Sequence, residues 1–114
     1  MAEGLETIEK PKLEWGPELG EMSWNDAQKK VEELNESLAE GEKKWRLPTK
    51  DELATEFRKT NSIPTGFQSS HYWSSTMYPG FRNSAYTIHM ADGSMNHDEK
   101  EYKYTLVRLV RDAV

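Results

Sequence analysis

The sequence predicts a single α+β domain, and three observations carry that expectation. Apolar residues recur at helical spacing in the first half and alternate at strand spacing in the second. Aromatic side chains are also frequent. The 114-residue chain fits one domain, but its composition is polar, with 31% charged against 35% hydrophobic residues. That balance alone would suit disorder. Four Trp, five Tyr and three Phe reverse the reading, because such rings bury large apolar surfaces.

Residues 1–12 are polar and are expected to form a flexible N-terminal segment, leaving 13–114 as the folded domain. Leu13, Glu14 and Trp15 alternate as a short strand, which Gly16-Pro17 is expected to break. Ser23, with Asp26 three residues on, reads as a helix N-cap with a shorter-armed capping box. Trp24, Ala27, Val31, Leu34 and Leu38 form the apolar stripe of that helix, and Gly41 is its expected stop. The other faces carry Lys29, Lys30, Glu32, Glu33 and Glu36.

Trp45-Arg46-Leu47 reads as a short buried extended segment, since Pro48 disfavours helical backbone at Leu47. Thr49 and Glu52 make a full capping box. Leu53, Ala54 and Phe57 give this second helix its inner stripe, with an end expected near Lys59. Residues 60–71 are loop. Strands are expected at Tyr72–Thr76 and at Ala85–Met90, where Tyr86, Ile88 and Met90 share a face. Asp92-Gly93 signals a turn into Ser94-Met95. Tyr104–Arg111 is the expected last strand.

All of the formal charge of −5 lies in residues 1–60, while residues 61–114 balance their acids and bases. No basic face is evident, so nucleic acid is not an expected partner. The N-terminus has no apolar signal segment and no stretch suits a membrane span, so no membrane partner is expected either. The absence of cysteine removes disulfides and thiolate chemistry and suits a reducing, cytoplasmic setting.

The ordered motifs Ser23-Trp24-x-x-Ala27, Trp45-Arg46-Leu47-Pro48-Thr49-x-x-Glu52-Leu53, Tyr72-Trp73-Ser74-Ser75-Thr76 and Val107-Arg108-x-Val110-Arg111 carry a resemblance. Over residues 13–111 the chain resembles the bacterial collagen-like-adhesin C-terminal domain family. The resemblance implies a C-type-lectin-like fold, with two helices packed on a small, mostly antiparallel twisted sheet with long loops. It implies adhesion or ligand binding, not catalysis. Many family members carry cysteines where this chain has Val31 and Leu109, so a hydrophobic contact is expected there. In this reading Trp45 and Trp73 are core anchors, Arg46 ties loop carbonyls or a carboxylate, and the Ser74–Thr76 hydroxyls satisfy backbone groups.

The candidate ligand-binding residues are Tyr78, Phe81, Arg82, Asn83, Asn96, His97, Asp98 and Tyr102. Tyr supplies rigid amphipathic contact area and Asn adapts its hydrogen bonds, a mixture typical of binding surfaces. These residues are expected on two loops sharing one exposed face, for a protein or glycan ligand. Their layout also resembles the variable region of proteins diversified by retroelements.

The alternative is an accessory interaction domain that docks through the acidic face of Glu32, Glu33 and Glu36. A more remote one comes from Arg46-Leu47-Pro48-Thr49-x-x-Glu52, which resembles formylglycine-generating oxidases, but those need active-site cysteines and copper. His71, His89 and His97 lack ligand spacing, and Asp92, Asp98 and Glu99 match no calcium loop. No catalytic residue, metal or cofactor is expected.

Overall fold

The computed structural model describes residues 13–113; the expectation of a flexible 1–12 segment lies outside them. Along the chain run β1 (Leu13–Met22), α1 (Trp24–Glu36), α2 (Lys50–Arg58), β2 (His71–Met77), β3 (Ser84–His89), β4 (Met95–Glu99) and β5 (Thr105–Asp112). The five strands form one sheet in the order β1-β5-β2-β3-β4. β2 and β5 run parallel, and the other neighbours are antiparallel. An α+β domain with a mixed sheet is therefore what the chain builds.

Consecutive strand residues point to opposite faces, and the core divides accordingly. Trp73, Ala85, Val107 and Leu109 pack with Ala27 and Val31 of α1, while Tyr72, Ile88 and Leu106 pack with Leu53 of α2. Each helix thus covers its own face of the sheet. Val31 and Leu109 share one buried cluster, as the resemblance implied.

β1 does not stop at Gly16-Pro17. The strand continues to Met22 through two register shifts, each setting an extra β1 residue against β5. Bulges on an edge strand absorb a proline that has no N–H to offer. Gly20, at φ +95°, sits in the second of them. The first bulge keeps Trp15 and Glu18 on the α2 face despite their odd spacing.

α1 ends at Glu36, short of Gly41, and Leu38 lies beyond it. Ser37 closes the helix by donating from its hydroxyl to the Leu34 carbonyl (2.9 Å). Asn35 then clamps the returning chain, accepting from Trp45 N–H (2.8 Å) and donating to the Trp45 carbonyl (2.9 Å). Local polar side chains outcompete a further helical turn. Trp45 consequently ends up half-buried beside the core, with the Arg111 guanidinium 4.2 Å from its ring centroid. Trp73 is the fully buried anchor.

Arg46 does tie a carboxylate. Its two terminal nitrogens donate to the two oxygens of Glu52, both at 2.8 Å. One of those oxygens also accepts from Thr49 N–H, completing the capping box of α2. The guanidinium holds the Glu52 carboxyl below its ordinary range, chiefly through these hydrogen bonds and against the opposing effect of burial. The Ser74 hydroxyl donates to the Tyr86 carbonyl (2.8 Å) and accepts from Thr76 N–H (3.1 Å), which satisfies backbone groups near the strand end.

The largest departure from the sequence reading lies between the last two expected strands. Residues expected as loop after Met95 form β4 instead, which pairs with β3 over five consecutive positions from Ile88↔Met95 to Ser84↔Glu99. Asn96, His97 and Asp98 are strand residues, so they alternate faces. Their polar, low-propensity composition is tolerated because β4 is a half-exposed edge strand.

Candidate functional site

The β2–β3 loop delivers the first half of the site. Tyr78 N–H donates to the Ser84 carbonyl (3.0 Å) and Ser84 N–H donates to the Phe81 carbonyl (3.2 Å), closing a tight hairpin. Gly80 lets the Tyr78 ring lie against the loop, since a Cβ there would come within 2.7 Å of that ring. β4 delivers the second half, because its register sets His97 opposite Tyr86 on the α2 face.

The result is an aromatic stack at the end of the sheet. Tyr78 and His97 lie nearly parallel, with ring centroids 3.7 Å apart. Phe81 stacks on Tyr78 at 5.8 Å and lies 5.6 Å from His97. Tyr86 meets Tyr78 edge-on, and Lys50 of α2 lies 5.4 Å from the centre of the Tyr86 ring. Phe81 is nonetheless 60% exposed. A ring already oriented by its neighbours and still open to solvent is a ready stacking surface.

Beside it lies an open depression of about 440 Å³, lined by Phe81, Arg82, Asn83, Ser84, His97, Asp98 and Glu99. Burial raises the Asp98 carboxyl above its ordinary range, and His71 and His97 partly oppose that effect. His97 Nδ1 is buried with no hydrogen-bond partner among the described residues. The lining thus combines an apolar ring, one cation, two carboxylates and an amide.

The structure brings together Phe81, Arg82, Asn83, His97 and Asp98, with Tyr78 stacked behind them. Asn96 and Tyr102 do not join them, which corrects the expectation of one shared face. Asn96 lies further from the 81–84 turn than Asp98 and does not line the depression; its amide donates to the Ser94 hydroxyl (3.4 Å). Tyr102 lies past the end of β4 and packs edge-on with Tyr104 at 5.6 Å. Sequence reasoning left Glu99 and Tyr86 out of the site and read Tyr86 only as sharing a face with Ile88 and Met90. Tyr86 does share a face with Ile88, but it lies near the end of the sheet and is only half-buried. The signal for this was the Asp92-Gly93 turn, whose hairpin register pairs Tyr86 with His97.

His71 and His89 are cross-strand neighbours with rings edge-on at 4.4 Å. Among the described residues no group of three His, Asp or Glu side chains is placed to hold a metal ion. Glu32, Glu33 and Glu36 are exposed on α1. Among the described residues no helix is long and apolar enough to cross a membrane.

Fold and site together define a small mixed-sheet domain that displays an aromatic, polar hollow at one edge. The chain belongs to the Lcl C-terminal domain family, whose model matches residues 7–111. That agrees with the adhesin-type resemblance of its motifs. Among curated proteins it has no match.

Proposed function

We propose that this domain is a non-catalytic recognition module that holds a protein or glycan ligand in the depression beside Phe81. The carrying observation is that one ring, oriented by Tyr78 and His97, stays 60% exposed next to clustered polar groups. Membership of the family supports a binding, adhesin-like role. The two helices and mixed sheet are compatible with the C-type-lectin-like arrangement that the resemblance implies. The absence of cysteine favours work in a reducing compartment. The loop and strand that supply the lining also suit sequence diversification, and a neighbouring reverse transcriptase gene with a template repeat would support that reading.

The test is a glycan array and a pull-down with the domain and two variants. Phe81→Ala with Asn83→Ala is expected to abolish the captured signal. Glu32→Gln, Glu33→Gln and Glu36→Gln together are expected to preserve it. The reverse pattern transfers the function to the acidic face of α1.

A further inference from the structure

Among the described residues β1 and β4 are the edge strands of the sheet, and they are built differently. β1 carries Pro17 and two bulges, which interrupt any continuous row of backbone donors and acceptors. β4 has no such interruption. Its hydrogen bonds with β3 include His89 N–H to the Ser94 carbonyl (2.9 Å) and Lys100 N–H to the Asn83 carbonyl (2.7 Å). Antiparallel alternation then directs the backbone groups of residues 96 and 98 inward and those of Met95, His97 and Glu99 outward. Tyr102 N–H takes the Glu99 carbonyl (2.9 Å). The remaining outward groups face no strand among the described residues.

A second observation ties the depression to this strand. His97, Asp98 and Glu99 all line the one depression, yet consecutive strand side chains point to opposite faces. A single hollow reaches all three where it opens at the end of β4, beside residues 81–84.

We propose that β4 accepts an added strand from a basic peptide, whose central side chain lies beside His97 against the exposed ring of Phe81. This rests on the depression being the ligand site. In an added strand, the residue opposite His97 shares its face, about 5.5 Å away between Cα atoms. An aromatic ring suits that place, because Arg82 already supplies a positive charge at the Phe81 corner. The residues on either side of it point to the face of Asp98, and those two positions away share the face of Glu99, so cations belong at both. A second copy of the chain fits less well. Pairing β4 with itself about His97 would gather the Asp98 and Glu99 carboxylates of both copies in one short ribbon.

The test uses the intact domain and the peptide acetyl-Thr-Arg-Lys-Tyr-Lys-Arg-Thr-amide, whose side chains read the same in either strand direction. Calorimetry is expected to show one-to-one binding. N-methylation of the central Tyr removes one edge donor and is expected to weaken binding about tenfold. The same peptide with Glu at every Lys and Arg is expected not to bind. Met95→Pro removes an outward N–H while sparing the bonds to β3, and is expected to weaken binding similarly; circular dichroism checks that it folds.

Equal binding of the parent and N-methylated peptides overturns strand addition. If Phe81→Ala still weakens binding in that case, the depression survives as the site. Sensitivity to N-methylation without sensitivity to Phe81→Ala overturns the site reading and the ring seat with it. Absence of binding by the basic peptide, or equal binding by the acidic one, overturns the partner chemistry. A dimer in sedimentation that Met95→Pro abolishes gives the edge to a second copy and also overturns the proposal.

Discussion

Two groups of aromatic residues sit on this sheet, one inside and one at its margin. In the first, Trp73 is fully buried and its indole N–H donates to the Met22 carbonyl (2.9 Å). Trp24 packs against the same core, and its indole N–H donates to the Ser74 carbonyl (3.0 Å). In the second, Tyr78, Phe81, Tyr86 and His97 contact one another, and Phe81 keeps most of its surface in water. Both groups are dense with rings, but they divide the work. Where each ring's polar atom is satisfied by the fold, the ring locks strands together. Where rings stack on each other and one stays open, the fold presents them.

The sharpest way to break this comparison is to truncate its buried member. Trp73→Ala is expected to cost about 3–5 kcal/mol in urea denaturation, through the cavity left and the orphaned Met22 carbonyl. A loss below about 1 kcal/mol would mean that the buried group does not hold the sheet.

Gly66→Ala probes a third aromatic contact, on the α2 face. Gly66 has φ +89°, and a Cβ there would lie 2.5 Å from a terminal nitrogen of Arg108. That guanidinium lies 4.7 Å from the Phe67 ring centroid, and its Nε donates to the Gly16 carbonyl (2.8 Å). Backbone strain and a displaced hydrogen bond together are expected to cost about 2–3 kcal/mol, read from the shift in denaturation midpoint. Arg108→Lys should remove part of the clash and reduce the cost of Gly66→Ala in the double variant.

The helices and the core they cover were the more legible part of the molecule. The α1 and α2 stripes, the Thr49–Glu52 capping box and the alternation of β5 are all set by local periodicity and capping. The placing of Val31 and Leu109 in one core cluster came from aligned motifs. The site was legible in composition but not in geometry. Asn96, His97, Asp98 and Glu99 look like loop because strand propensity is low there, and only pairing with β3 makes them a strand. Once they form one, the register with β3 sets His97, Asp98 and Glu99 beside the 81–84 turn and leaves Asn96 further along the strand. The passage of β1 through Gly16-Pro17 was hidden for a related reason: a bulge depends on the partner strand, and β5 lies some ninety positions away.

A smaller effect is expected at His71, which begins β2. Its Nδ1 is buried without a partner among the described residues, and its ring packs on His89. Burial first, and the His89 charge second, hold its imidazole below the ordinary value of 6.5, with Asp98 and Asp92 pulling the other way. Between that lowered value and 6.5 the unfolded chain binds a proton that the native state refuses. Stability from this group is therefore complete above 6.5 and is lost as pH falls through that window. Urea midpoints measured from about pH 7.5 to about pH 5.5 should decline, and His71→Gln should flatten the decline. An unchanged slope in the variant would assign the decline to other groups.

The smallest stability effect belongs to the residue with the largest expected functional one. Phe81 is exposed, and its ring touches Tyr78 and His97 from outside. Truncating it leaves the Tyr78–His97 stack in place and opens no cavity. Phe81→Ala should therefore change unfolding free energy by less than about 0.5 kcal/mol, the usual range for a surface position. The same change should weaken ligand binding by about tenfold or more, because a lone aromatic anchor beside a polar hollow concentrates contact energy. Both quantities are measured on one variant, by denaturation and by titration with whatever ligand the array or pull-down identifies. A variant as damaged as Trp73→Ala would make Phe81 a structural ring and would erase the division between the two aromatic groups. A variant that is stable and binds unchanged would keep the division and move the binding surface elsewhere.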